Sequence, residues 1–345
     1  MKNSIYVLIF ILISCQNKKN PEIVSLLANA ETSPVISEDD AADDPCIWIH
    51  ASNASASKII GTDKKNGLVV YNLQGEIVSE YPFGRLNNVD IRTRIQLGDS
   101  IVTIVGASNR SLNTLAIFSW NENSEKLESI LKEDLKSNLQ EVYGFCLYYN
   151  SKEKELFSFV VGKDGNVEQW QLRLVNAKIE GEIVRTFSVG SISEGMVADD
   201  YHNNLYLAEE NVALYKYSAL KNADSSRTKL ISVHDKNMRD DFEGVTLYDQ
   251  GEGKGYIIVS SQGNNSYAVF DRETNNYLKS FSIGDSEEID GTYDTDGIDV
   301  TAAFLGKEYP EGVFIAQDGA NTQGKDTLTQ NFKIVDWRRI KNILD

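Results

Sequence analysis

The feature that most limits what this chain can fold into is a repeat. "EGMVADD" at 194–200 returns as "EGVTLYD" at 243–249 and as "DGIDVTA" at 296–302, with a weaker copy, "YGFCLYY", at 143–149. Taking the polar residue that opens each unit gives Asp44, Asn88, Tyr143, Glu194, Glu243 and Asp296, spaced 44, 55, 51, 49 and 53 residues apart. Each unit continues in the same way. A first apolar run such as "VTLYD" is followed by a second ending in a polar turn, such as "GYIIVSSQGNN". A third leaves the turn, as in "SYAVFD", and a weaker fourth follows, as in "YLKSFSI". The runs alternate with a period of two and are bounded by turn residues, so they read as strands.

Six units of about four strands, each roughly 40–50 residues long, predict an all-β, six-bladed β-propeller of mostly antiparallel strands. A two-sheet sandwich does not explain a six-fold repeat. The sixth unit has no evident fourth strand after "NFKIVDW". "EIVSLLANA" or "SPVISED" from the N-terminal side is a candidate to supply it, closing the ring and removing an exposed edge. Residues 125–140 are charged and ambiguous, and no long helical period is present.

In such a blade the innermost strand lines a central channel, and the second strand runs back to the mouth where the first began. Two sets of side chains then meet at one mouth. Asp43, Asp44, Asn88, Tyr143, Glu194, Glu243 and Asp296 open the first strands. Lys64, Lys65, Arg110, Lys163, Glu209, Glu210, Gln262 and Asp318 close the second. Gly144, Gly195, Gly244 and Gly297 let backbones crowd near the axis. Surface carboxylates usually meet only solvent. Convergence on one channel argues otherwise here, because packed carboxylates repel unless protonated or neutralised by a cation. An all-oxygen set suits Ca²⁺ better than zinc. Units one to three offer Lys64, Lys65, Arg110 and Lys163, which can grip phosphate. Units four to six offer acids and Gln262, which can hold metal. The residues alone therefore point to metal-assisted hydrolysis of a phosphate ester.

Composition supports this and excludes other classes. The chain has 34 Lys+Arg against 51 Asp+Glu, a formal charge of −17, which repels nucleic acid at long range and favours cations. The three histidines, His50, His202 and His234, lack metal-ligand spacing. There is no G-x-S-x-G elbow and no phosphate-cradling loop. "DGTYDTDGID" lacks the twelfth-position Glu of an EF-hand.

The start of the chain reads as a processing segment. "MKNSIYVLIFILISC" has a basic head and an apolar run too short to span a bilayer. It ends in Leu-Ile-Ser-Cys, which resembles a bacterial lipobox. That implies a signal peptide over 1–14 and lipid on Cys15. It also implies export to the cell envelope, outer membrane foremost, with the membrane met only through the anchor. Residues 15–37 then read as a tether and candidate closing strand, and 38–345 as the propeller domain. Cys46 and Cys146 lie in apolar strand patterns and read as buried thiols.

A dozen motifs in order, from "DDPCIWIH" and "IIGTDKKNGLVVYNLQGE" through "RLNNVDIR", "ASNRS" and "SEGMVADD" to "SSQGNNSYAVFDR", "DTDGIDV" and "FIAQDGAN", resemble the bacterial β-propeller phytases over about residues 38–340. The resemblance implies several Ca²⁺ ions and hydrolysis of phytate (myo-inositol hexakisphosphate) by calcium-activated water, without a covalent phosphoenzyme. It implies calcium ligands at Asp43, Asp44, Glu194, Glu210, Asp241, Glu243, Gln262, Asp290, Asp296 and Asn321, with the carbonyls of Pro45 and Val89. It places phosphate binding on Lys64, Lys65, Arg110, Tyr143 and Lys163, and catalysis on Glu194, Asp43, Glu210 and Tyr143. Ala320 stands where that family often has Glu, and Asp164 where Glu is usual. Two other readings stay open on the residues: a non-catalytic, calcium-stabilised binding propeller, and a phosphoesterase for another organic phosphate. Nothing in the sequence argues for an oligomer.

Overall fold

Each repeat unit folds into one sheet, and the six sheets stand round a channel as the blades of a β-propeller. The structure is a computed structural model that describes residues 22–345. Residues 1–21, including Cys15 and the signal segment, lie outside the described residues. Blade one runs Ala42–Trp48, Lys58–Asp63, Gly67–Asn72, Ile77–Tyr81 from the axis outward. Blades two to five open with the inner strands Leu86–Leu97, Val142–Asn150, Ser193–Asp199 and Phe242–Gly251. Blade six opens with Ile298–Thr301 and continues through Val313–Asp318 and Asn331–Asp336. The ambiguous stretch 125–140 holds two short strands of blade two, Lys126–Ser129 and Leu135–Lys136.

Ring closure differs in detail from the expectation. "EIVSLLANA" supplies two strands. Ile23–Leu27 adds a fifth strand to blade five, parallel to Tyr277–Gly284 and running toward the mouth where the inner strands begin. Only Ala30–Glu31 serves as the outer strand of blade six, antiparallel to Asn331–Asp336. The chain also ends in a helix, Trp337–Leu344, where the sequence showed no helical period. Asp336 closes the last strand and caps the helix, its side chain accepting from the Arg338 N–H at 2.9 Å. Trp337 stacks on Tyr248 with ring centroids 3.6 Å apart, so one helical turn covers the base of blade five.

The apolar faces of neighbouring blades form the core. Between blades three and four, Tyr148, Phe157 and Phe159 pack against Met196, Leu205, Leu207 and Tyr217. Cys46 and Cys146 are buried free thiols. Near the axis, where inner strands diverge, carboxylates bond backbone N–H groups of the next blade. Asp44 accepts from Val89 at 3.1 Å and Asp90 from Leu147 at 2.8 Å. Toward the far mouth the acids carry counter-charges: Arg92 pairs with Asp90 and Asp200 at 2.9 and 2.8 Å, and Arg272 with Asp199 at 2.7 Å.

Candidate active site

One irregularity builds the site. The inner strands of blades one to five each break register with their neighbour at the same place: Ala42/Pro45, Leu86/Val89, Val142/Phe145, Ser193/Met196 and Phe242/Val245. A bulge leaves residues outside the ladder and re-aims their side chains. The first residue of each bulged pair points to the mouth. The ring is therefore Asp43, Asn87, Tyr143, Glu194 and Glu243, with Asp296 in blade six. Opening the repeats at Asp44 and Asn88 places blades one and two one residue late. The second residue of the pair is glycine in blades three to six for a steric reason. A Cβ on Gly144 would lie 2.0 Å from the Glu194 carbonyl oxygen, and one on Gly195 1.9 Å from that of Glu243.

Six side chains on one ring, five of them acids or phenol, cannot all ionise. Glu194 is pushed well above the usual carboxylate range by burial, then by Asp43 and Asp296. Burial and the charges of Glu194 and Glu210 do the same to Glu243. Burial and Asp241 raise Glu210 to about 7. Asp296 also rises to about 7, chiefly through burial, although Lys64 opposes the shift. The Lys64 ammonium lies 2.6, 3.0 and 2.9 Å from Asp40, Asp43 and Asp296. Burial alone would lower its pKa, but Asp43 and Asp296 hold it well above the ordinary value. The Tyr143 phenol is raised far above its ordinary value by burial and by Glu194 and so keeps its proton.

The opposite arc is basic. Arg110 Nε donates to Glu141 at 3.0 Å and its Nη1 to Asn87 Oδ1 at 3.1 Å. The Lys163 ammonium lies 4.9 Å above the Tyr143 ring centre. Lys65 turns outward, its ammonium on the Glu38 carbonyl at 2.5 Å. Beside Lys64, Tyr143 and Asp296 opens a cleft of about 790 Å³, with Ala320 and Gln330 on its blade-six wall.

The fit to a hard cation can be judged from the oxygens. Carboxylate oxygens of Glu194, Glu210 and Glu243, all buried, lie within 4.8 Å of one another. Asp43 Oδ2, Glu210 Oε1 and Glu243 Oε2 are buried without a hydrogen-bond partner. Buried acceptors in that state are costly, and a cation of all-oxygen preference satisfies them together. Asp241 and Gln262 border this cluster: the Gln262 N–H donates to the Asp241 carbonyl at 2.8 Å, and Gln262 Nε2 donates to Asp296 Oδ1 at 2.8 Å. Asp44, Pro45 and Val89 sit one layer deeper, lining an axial cavity of about 30 Å³.

Asp290 and Asn321 are placed elsewhere. Both lie on the buried Lys333 ammonium, which pairs with Glu31 at 2.6 Å, with Asp318 at 3.1 Å and with Asp290, and reaches Asn321 Oδ1 at 3.4 Å. This ammonium already supplies positive charge to the group. Sequence reasoning missed Asn87, Glu141 and Lys333. The doubled "DD" of blade one and "NN" of blade two were the available signal for Asn87.

A family model described as Phytase matches residues 3–345. The 3-phytase of Bacillus subtilis (strain 168) is 45% identical over 320 residues, spanning 91% of this chain and 84% of that protein. Among solved structures, a luciferin-regenerating enzyme superposes with a TM-score of 0.52 at 12% identity, covering 88% of this chain and 95% of that one. At that identity the likeness concerns fold alone. The family match over nearly the whole length and the near-half identity to a curated relative agree with the ring of acids and the facing basic arc: this chain belongs to the phytase family.

Proposed function

We propose that the protein is a phytase that releases phosphate from myo-inositol hexakisphosphate at the bulge-built mouth, with Ca²⁺ held by the acidic arc. The observation that carries this reading is the division of one mouth into Arg110, Lys163 and Tyr143 on one side and Glu194, Glu210 and Glu243 on the other. Arg110 and Lys163 bind anionic oxygens of the ester by charge-assisted hydrogen bonds. Tyr143 serves as a donor, because its phenol keeps its proton. Asp43, Glu194, Glu210, Glu243 and Asp296 would hold the cations, with Asp241 and Gln262 at the border. Asp44 with the carbonyls of Pro45 and Val89 offers a deeper oxygen site. Bound Ca²⁺ supplies positive charge at the phosphoryl group and acidifies water.

Several phosphates on one small ring suit this mouth, because one can meet the basic arc while another lies toward Lys64 and the adjoining cleft. Export and lipid attachment at Cys15 belong to the same proposal, supported by the Leu-Ile-Ser-Cys ending. The test is phosphate release from phytate with millimolar Ca²⁺ and then with chelator. Release with calcium alone supports the reading. Equal release in chelator removes calcium from it. No release from folded protein under either condition leaves a binding propeller, and faster release from simple monoesters than from phytate reassigns the substrate.

A further inference from the structure

We propose that Asn87 is a positioning residue that sets the Arg110 guanidinium and the Glu194 carboxylate together, so that the phosphate-gripping arc and the acid arc act as one unit. The inference rests on the phytase reading of the mouth. Asn87 occupies the blade-two position of the ring, where the other blades carry Asp43, Tyr143, Glu194, Glu243 and Asp296. It is fully buried. Its two ends do different things. Oδ1 accepts from Arg110 Nη1 at 3.1 Å, while Nδ2 donates to Glu194 Oε1 at 2.5 Å. The guanidinium has no acceptor to offer, so the oxygen must face Arg110 and the amide nitrogen Glu194.

This pairing explains the residue type. An ionised acid at position 87 would satisfy Arg110 but turn an acceptor toward Glu194. A cationic residue would satisfy Glu194 but repel Arg110. A carboxamide of this length serves both. Glu141 completes the line from the rim, fixing Arg110 through Nε at 3.0 Å, and the Arg110 bond pulls the Glu141 carboxyl below its ordinary range. The series Glu141–Arg110–Asn87–Glu194 thus joins the end of blade two's second strand and the approach to blade three's inner strand to the ring. Removing its buried middle member frees both neighbours to choose other rotamers.

The test compares kcat and KM on phytate for the parent, Asn87→Ala, Glu194→Gln and the double variant in millimolar Ca²⁺, with calorimetric binding of inorganic phosphate. A lost hydrogen bond to a charged group predicts a kcat roughly 10–100-fold lower for Asn87→Ala. Because Glu141 still holds Arg110, KM should rise less than kcat falls, and phosphate binding should weaken several-fold. In the Glu194→Gln background the further loss in kcat should shrink to about threefold or less, because the partner is already disabled. A structural role alone would give additive losses.

Should Asn87→Ala not fold, Asn87→Asp, which keeps the shape and the Arg110 acceptor but loses the donor, should show the same fall in kcat. Parent kcat in a folded variant, or losses fully additive with Glu194→Gln, overturn the proposal. If the parent itself releases nothing from phytate, the enzyme reading fails. Phosphate binding then decides alone, and equal affinities for parent and variant overturn the role of Asn87.

Discussion

The mouth makes a specific prediction about how pH acts on stability with and without calcium. Asp296 has its pKa raised from the ordinary 3.8 to about 7 in the folded protein, and Glu210 from 4.5 to about 7. A folded-state pKa above the unfolded one means the native protein binds the extra proton. The associated stability is fully present below the unfolded pKa and is lost as pH rises through the folded one. Between about pH 5.5 and about pH 7.5, one group of native pKa near 7 loses roughly 2 kcal/mol on this basis. Glu210 adds to the loss in the same direction, as do Glu194 and Glu243, which also rise. In chelator, stability should therefore fall across that window by at least about 2 kcal/mol. Calcium held by these carboxylates, as proposed, would reverse the logic, because binding would keep them ionised in the native state and release their protons. In millimolar Ca²⁺ the mouth's contribution to the fall should vanish. Asp299, which lines the axial cavity beside Asp44, also rises to about 7 and adds to the fall in chelator in the same direction. The assay is guanidinium unfolding at both pH values, with chelator and with calcium. Stability that rises with pH in chelator, or a pH slope that calcium leaves unchanged, would refute the reasoning.

Two further outcomes follow from the packing. Gly195→Ala places a Cβ 1.9 Å from the Glu243 carbonyl oxygen, so the ring must open between two of its acids. The expected cost is about 1–3 kcal/mol in thermal or denaturant unfolding and roughly 100-fold in phosphate release, and a variant that matches the parent in both disproves the close approach. Lys333→Met leaves Glu31, Asp290 and Asp318 facing one another in a buried site. It should lower unfolding stability by about 3–5 kcal/mol, and an unchanged midpoint in chelator would show that Lys333 does not neutralise that cluster.

The blade count and strand order were legible because the repeat dictates them: alternation gives strands, and six copies give the ring. The acid ring was legible in blades three to six, where the glycine beside each ring residue marks its place. In blades one and two that glycine is replaced by Asp44 and Asn88, and the marker is lost. In blade one Asp43 was named together with Asp44, but in blade two the reading took Asn88 alone and slid by one residue, which in a strand exchanges which side chain faces the mouth. Asn87 was hidden by this and by nothing else. Lys333 was hidden differently. It lies within the apolar run "NFKIVDW", and only the fold brings it against Asp290, Asp318 and a glutamate some 300 residues away in sequence. The C-terminal helix escaped notice because it is only eight residues long, so its apolar face of Trp337, Ile340, Ile343 and Leu344 spans about two turns, too short a window to establish a period. The split of "EIVSLLANA" between two blades depends on long-range pairing that no local pattern records.

The direction of the strand Ile23–Leu27 has a consequence for how the molecule sits on a surface. It enters the sheet of blade five with Ile23 opposite Ser280 and Leu27 opposite Gly284, travelling toward the acid ring. The described chain therefore begins on the side of the far mouth, opposite the acid ring. If Cys15 carries the proposed anchor, the tether joins the fold at that end, and the face that meets substrate is the one opposite the point of entry.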